Sequence, residues 1–248
     1  MKEIALVTGA NKGLGKEIAR RLAAAGLTVY LGARDATRGR GAAAELGAAG
    51  LDVRFVPLDV TVEEQVVAAA RAIEEECGRL DVLVNNAGIV TEWGLSFEDI
   101  TADHLRRSFE VNVLGAVTVT RACLPLLRRS KGARVVNMSS PLGSLTLLDD
   151  PDHHPAASRG LLAYSSSKAA LNAVTLVYAE ALRAAGIRVN AANPGLVVTD
   201  LNADSPYPRG TRSVEEGAEV PVRLALDAEG TGGFHGSMEG DVTERVPW

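Results

Sequence analysis

Thr8-Gly9-Ala10-Asn11-Lys12-Gly13-Leu14-Gly15 follows the apolar run Ile4 to Val7 and precedes Ile18, Ala19, Leu22 and Ala23 at helical spacing. A strand, a glycine-rich bend and a helix in that order decide the fold. The apolar run fits a strand covered on both faces. Glycines at 9, 13 and 15 let the backbone turn sharply and approach a pyrophosphate, to which the helix N-terminus offers unpaired N–H groups and partial positive charge. The spacing is longer than G-x-G-x-x-G. No Lys-Ser/Thr pair follows the last glycine, so a P-loop kinase or ATPase loses support. A glycine-rich turn alone is a weak signal, and a tight βα turn without a ligand is the plain alternative.

Outward from that turn the same alternation repeats. Further strands are predicted at Thr28 to Leu31, Val53 to Val56, Asp81 to Val84, Arg134 to Met138 and Ile187 to Ala191, with a short last one at Gly233 to His235. The intervening helices begin near Gly13, after Asp35, at a capping box Thr61-Val-Glu-Glu64, over residues 102 to 129, and over about 162 to 185. Gly26, Gly78 and Gly186 act as stops, and Ser213-Val-Glu-Glu216 forms a second capping box. Strands separated by such helices imply right-handed βαβ units. The expected fold is α/β, a single-domain, Rossmann-like, doubly wound parallel sheet with helices on both faces, spanning residues 1–248.

The composition narrows the function. A net charge of −5 with scattered Lys and Arg leaves no footprint for nucleic acid. No apolar stretch is expected to reach the roughly 18–20 residues of a membrane span. The N-terminus shows no signal-peptide core with a cleavage site, and a cytoplasmic location is the expectation. Cys77 and Cys123 lack the spacing of a metal or redox pair and read as free thiols. Adjacent His153-His154 lacks a third ligand at metal spacing, so no metal is expected.

If the turn holds a dinucleotide, the end of the second strand chooses between its two forms. An acid about 20 residues on usually binds the ribose hydroxyls of NAD. Here the strand ends Leu31-Gly-Ala-Arg34, with Ala33 where the carboxylate is expected. The Arg34 guanidinium suits a 2′-phosphate, and Lys12 adds a second cation, which favours NADP(H). Asp35 is the competing candidate; we read it as the cap of the next helix.

Tyr164-Ser-Ser-Ser-Lys168 opens the 162–185 helix, so both side chains leave one face a turn apart. A phenol with a pKa near 10 is a poor base at neutral pH. A neighbouring ammonium is expected to lower that pKa and make Tyr164 a usable proton donor and acceptor. By itself such a pair is commonly an exposed helix pair, but its position after a fifth strand of a dinucleotide fold favours chemistry.

These motifs, with Asp59-Val60, Asn85-Asn-Ala-Gly88, Asn112, Val136-Asn-Met-Ser-Ser140, and Asn193-Pro-Gly195 with Thr199, resemble the short-chain dehydrogenase/reductase family across essentially the whole chain. Within it the chain is similar to NADPH-dependent carbonyl reductases. The resemblance implies Tyr164 as general acid in ketone reduction, and Lys168 on the nicotinamide ribose. It implies Ser140 on the substrate carbonyl, with Ser139 the alternative. Asn112 would interrupt the 102–129 helix and hold a water relaying protons to Lys168; an ordinary helix-interior Asn is the other reading. For the cofactor it implies Gly9, Asn11, Lys12, Gly13, Leu14 and Gly15 at the turn, Arg34, then Asp59 and Val60 at the adenine. Asn86, Ala87 and Gly88 would line the ribose, and Pro194, Gly195, Val197 and Thr199 would frame the nicotinamide.

Ser140 and Tyr164 stand 24 positions apart, about twice the separation common in short family members. The extra segment, about 149–159, resembles in position the insertion of monomeric carbonyl reductases, which favours a monomer or weak dimer over a tetramer. Ile89, Val90, Trp93, Leu142, the segment after Thr199 and the tail from Phe234 to Trp248 are expected around the substrate, suggesting a small hydrophobic ketone or aldehyde. Trp93 and Trp248 packing the surface is the blander view. The rivals are reduction of an activated C=C bond, oxidation of a secondary alcohol, and a non-catalytic NADP sensor.

Overall fold

Apolar residues alternate along the central strands, and each alternate set is drawn to a different layer of helices. In β1 (Ile4–Thr8), Ala5 and Val7 join one core while Ile4 and Leu6 join another. The same division separates Val29 and Leu31 from Tyr30 in β2 (Thr28–Ala33), and Val82 and Val84 from Leu83 in β4 (Val82–Asn85). Period-two side-chain direction makes this sorting automatic once both faces are covered. The computed structural model describes residues 2–150, 160–206, 209–227, 230–236 and 244–248.

The remaining strands are β3 (Val53–Pro57), β5 (Arg134–Met138), β6 (Arg188–Ala192) and β7 (Phe234–His235). All seven pair in parallel in the order β3-β2-β1-β4-β5-β6-β7. The first core contains residues of α1 (Gly13–Ala24), α2 (Ala36–Ala48) and α9 (Glu219–Asp227). The second contains residues of α3 (Glu63–Cys77), α5 (Ala116–Leu127) and the end of α7 (Leu162–Ala181). The chain leaves β1 for β2 on one side and later starts β4 on the other, which opens a crevice at the carboxyl ends of β1 and β4.

The predicted 102–129 helix is three pieces. α4 (Ala102–Phe109) passes through a π-helical turn over Glu110–Gly115 into α5, and Asn112 sits inside that turn, as the expected interruption. The stretch Ala102–Leu127 is long and apolar enough to cross a membrane, contrary to expectation; half of its most apolar window is buried against the rest of the fold.

The Thr61 capping box does not form. Thr61 donates its hydroxyl to Asp59 Oδ1 at 2.7 Å, so α3 starts after Val62 with no side-chain cap. The Ser213 box does form, opening α8 (Val214–Gly217). Two helices went unpredicted: α6 (Leu145–Asp149), capped by Ser144, and α9, which resumes after α8. The expected insertion at 149–159 falls, beyond Asp150, on residues outside the described set, as do His153 and His154.

Candidate active site

The carboxyl ends of the sheet floor one long cleft of about 720 Å³, running from Arg34 at one end to Tyr164 and Trp93 at the other. Thr8 closes β1 and fastens it to the segment after β4. Its Oγ1 accepts from the amides of Asn86 and Ala87, both at 3.0 Å. Asn86 returns its Nδ2 to the carbonyls of Thr8 and Gly9 at 2.9 and 3.2 Å. Asn86 lines the cleft as expected, but its amide group is engaged in stitching two backbone segments together. Gly9 has φ +63°, and a Cβ there would meet Ala87 Cα at 3.0 Å, so the turn needs glycine both for its conformation and for its clearance.

This turn delivers α1 with Lys12 as an N-cap that makes no side-chain cap bond, and with no acidic residue in the first turn. The free ends of its N–H groups and its dipole are therefore uncompensated by side chains, the condition an anion requires. Asn11, Leu14 and Gly15 line the same part of the cleft. Arg34 lies exposed just beyond β2, with no hydrogen-bond or ion-pair partner among the described residues. Asp35 caps α2, accepting from Arg38 N at 3.0 Å, with its other oxygen 3.2 Å from Arg38 Nε. That geometry accounts for Asp35 as the cap expected of it.

Lys12 is not freely available. Its Nζ pairs with Asp200 Oδ2 at 2.9 Å, across the cleft from the turn to the segment after β6. Arg38 also lines this end, a residue the sequence reading passed over, in the first turn of α2 and four positions after Arg34. Asp59 and Val60 border the cleft, as do Ala87, Gly88, Pro194, Gly195, Val197 and Thr199. Glycines at a capless helix start, together with arginines beyond β2, fit a dinucleotide with its pyrophosphate on α1.

At the opposite end β5 stops at Met138, and its two serines then diverge. Ser139 is buried and donates to Asn172 Oδ1 at 2.6 Å. Ser140 faces the cleft and accepts from Leu142 N at 3.2 Å, and its hydroxyl acts to lower the proton affinity of the Tyr164 phenol. The alternative assignment to Ser139 thus finds that residue engaged elsewhere. Lys168 stands one turn after Tyr164 on α7, its Nζ 5.5 Å from the Tyr164 ring centre and donating to Met138 O at 2.8 Å. Gly143 keeps the Ser140 turn close to this helix: a Cβ there would lie 2.6 Å from the Lys168 carbonyl carbon. Asn172 Nδ2 donates to Gly143 O at 3.0 Å and secures the approach. Gly143 and Asn172 were not among the expected site residues; no motif distinguishes them.

The electrostatics differ from expectation. Burial pushes the Tyr164 phenol up to about 12; its Ser140 hydrogen bond opposes this, and the charge of Glu92 adds to it. Burial pushes the Lys168 ammonium down to about 8. In this arrangement desolvation is the dominant cause, and Tyr164 keeps its proton at neutral pH. Asn112 Oδ1 accepts from Ile89 N at 2.8 Å, and its Nδ2 donates to Ile89 O and Ser167 Oγ at 3.0 and 2.9 Å. Asn112 thereby clamps the π turn to the loop after β4 and to α7.

Two further residues of that loop matter. Glu92, only 1% exposed, accepts the amide of Tyr164 at 2.7 Å, and sequence reasoning passed over it. Trp93 lines the cleft and donates its Nε1 to Leu201 O at 2.8 Å, joining the loops after β4 and β6. Trp248, by contrast, stacks on Phe234 with ring centres 5.4 Å apart, and its carbonyl accepts from Thr146. It packs the far side of the sheet edge and is not among the residues lining the cleft.

The family model for short chain dehydrogenase matches residues 3–209. The chain is 34% identical to (+)-neomenthol dehydrogenase of Arabidopsis thaliana, covering 90% of each chain. It is 33% identical to NADPH carbonyl reductase 1 of Rattus norvegicus, covering 100% of this chain and 99% of the relative. Among solved structures, the NADPH-bound carbonyl reductase from chicken fatty liver superposes with a TM-score of 0.83 at 27% identity, covering 100% of both chains.

Proposed function

The chain belongs to the short-chain dehydrogenase/reductase family, whose members use nicotinamide cofactors, and from that premise we propose that it reduces a small hydrophobic ketone or aldehyde with NADPH. The observation that carries this reading is the convergence of Ser140 with the buried Tyr164 and Lys168 at the apolar end of the cleft.

Arg34, with Arg38 of the first turn of α2, would hold the 2′-phosphate of NADPH, and Lys12 would join them on leaving Asp200. The α1 N-terminus would hold the pyrophosphate, and Pro194, Gly195, Val197 and Thr199 would frame the nicotinamide. When bound, NADPH supplies the hydride.

The chain's own residues handle the oxygen and its proton. Ser140 Oγ already accepts from Leu142 N, and its O–H, directed at the Tyr164 phenol before substrate binds, would turn to donate to the carbonyl oxygen. Tyr164, kept protonated by burial, transfers its proton to the same oxygen as negative charge grows there. The Lys168 ammonium then lies within a helical turn of the phenolate and stabilises it. Asn112 would carry protons back through a water on the second lone pair of its Oδ1. Ile89, Val90, Trp93, Leu142, Leu161 and Leu201 line this end and favour an apolar substrate over a charged sugar.

The decisive assay follows NADPH oxidation against a panel of ketones, aldehydes and enones. Turnover of hydrophobic ketones, with alcohol as product, is the expected outcome. Turnover confined to enones would instead assign C=C reduction, and binding of NADPH without any turnover would leave a sensor.

Free Cys77 and Cys123 favour a reducing cytoplasm. The long segment between Ser140 and Tyr164 favours a monomer or weak dimer, with Leu176 and Val177 of α7 exposed. Sedimentation showing a stable tetramer would overturn that assembly.

A further inference from the structure

Every α-helix starts with amides that need acceptors from outside the helix. The residue at the N-cap of α7 is Leu161, which has no polar side chain to offer. The need is most consequential here, because the third amide of this helix belongs to Tyr164. The acceptor comes from 72 residues earlier in the chain: Glu92 Oε1 lies 2.7 Å from Tyr164 N. Glu92 Oε2 accepts the amide of Thr91 at 3.0 Å. Thr91 Oγ1 lies 3.0 Å from Glu92 Oε2, 3.0 Å from His104 O and 2.9 Å from Ser108 Oγ, so the carboxylate is braced against α4 as well.

We propose that Glu92 is a positioning residue for the reaction, a carboxylate supplied from the loop after β4 that caps α7 at Tyr164 itself and keeps a negative charge behind the phenol. The arrangement serves two ends. An anion at a helix N-terminus is stabilised by the dipole, which fixes where α7 begins and hence where the phenol stands relative to Ser140. The same charge disfavours the phenolate, holding the proton on until a substrate oxygen draws on Tyr164.

Other charges are placed less well to do this. On α4, packed against α7, Asp103, Arg106 and Arg107 are exposed, and the half-buried His104 receives the Thr101 amide on its Nδ1. Glu110 of the π turn is exposed, and Arg188 stands at the opposite end of β6 from the cleft. Lys12 and Asp200 pair with each other toward the outer side of the cleft and Asp204 also borders it, while Ser140 and Lys168 stand at the phenol's own end.

This inference rests on Tyr164 as the acid, and the experiment separates the two. Glu92→Gln keeps an acceptor for the Tyr164 amide but removes the charge, whereas Glu92→Ala removes both. Because loss of a nearby negative charge favours the deprotonated form of Tyr164, the alkaline limb of kcat/KM for reduction should move lower, by up to about 1 pH unit, in Glu92→Gln. The NADPH dissociation constant, read by fluorescence, should stay within about twofold, the scatter allowed for a contact that does not touch the cofactor. Glu92→Ala should lose kcat about 100-fold, as for a misplaced reacting group. A Glu92→Gln profile superimposable on that of the unmodified enzyme overturns the proposal, as does a Glu92→Ala that lowers Tm alone. Tyr164→Phe is the control: full activity there would sink the acid assignment, while an inactive Tyr164→Phe beside an unaltered Glu92→Gln would sink only the role of Glu92.

Discussion

The two ends of the cleft are built on opposite principles. At the inner end Tyr164 and Lys168 are buried, and the side chains around them are held by hydrogen bonds between 2.6 and 3.2 Å. At the outer end Arg34 is exposed with no partner among the described residues, and Lys12 and Asp200 are each about half exposed. Burial shifts proton affinities and fixes geometry, so the inner end suits bond-making. Exposure leaves charges mobile and screened, so the outer end suits recognition of an anion that brings its own charge. The lesson is that one cleft separates chemistry from selection by how much water each part admits.

Mutations should break the two ends in different observables. The largest effect belongs inside: Ser140→Ala is expected to lower kcat by roughly 100- to 1000-fold, as for loss of a donor to a developing oxyanion. Ser139→Ala, whose hydroxyl serves Asn172, should cost far less, and steady-state kinetics would show the gap. Next, Arg34→Ala should raise the KM for NADPH about tenfold, with little change in kcat or in the KM for NADH. That effect should shrink at high salt, a dependence the Ser140 variant should lack.

The buried ammonium gives a smaller signal in stability. Lys168 has a depressed pKa of about 8 in the folded chain, so between there and about 10.4 the unfolded chain binds more protons. Stability tied to Lys168 should therefore rise with pH across that window. Lys168→Met, compared with the unmodified protein in thermal melts at several pH values, should remove that contribution, worth about 2–4 °C of Tm per kcal/mol. The smallest effect is Asp200→Asn. Freeing Lys12 from an exposed pair should tighten NADPH binding by no more than about fivefold.

Much of this was legible beforehand because it rests on local rules. The strand alternation, the turn at Thr8 to Gly15, the one-turn spacing of Tyr164 and Lys168 and the Asp35 cap all follow from neighbours in sequence, whereas the break at Asn112 was implied by the family resemblance alone. What escaped depends on partners far along the chain. Glu92 reads as one more acid in a polar loop until Tyr164 N, 72 residues on, is placed against it. Lys12 reads as an available cation until Asp200 is brought across the cleft. The Thr61 box fails because Asp59, two residues earlier, takes its hydroxyl first, a local competition that pattern matching does not weigh. Trp248 was expected near the substrate, but Phe234 and Thr146 hold it elsewhere. The rise of the Tyr164 pKa was misjudged because spacing reveals the ammonium but not the depth of burial.

In the proposed reaction the phenol of Tyr164 gives the proton, with Ser140 and Lys168 beside it at the inner end, while the outer end of the cleft holds the coenzyme. Single-turnover oxidation of saturating bound NADPH by a hydrophobic ketone, compared between the unmodified enzyme and Tyr164→Phe, tests it most directly. NADPH binding of similar strength is expected in both, with rapid oxidation in the first and none above background in the second. Oxidation at the same rate in both would contradict it.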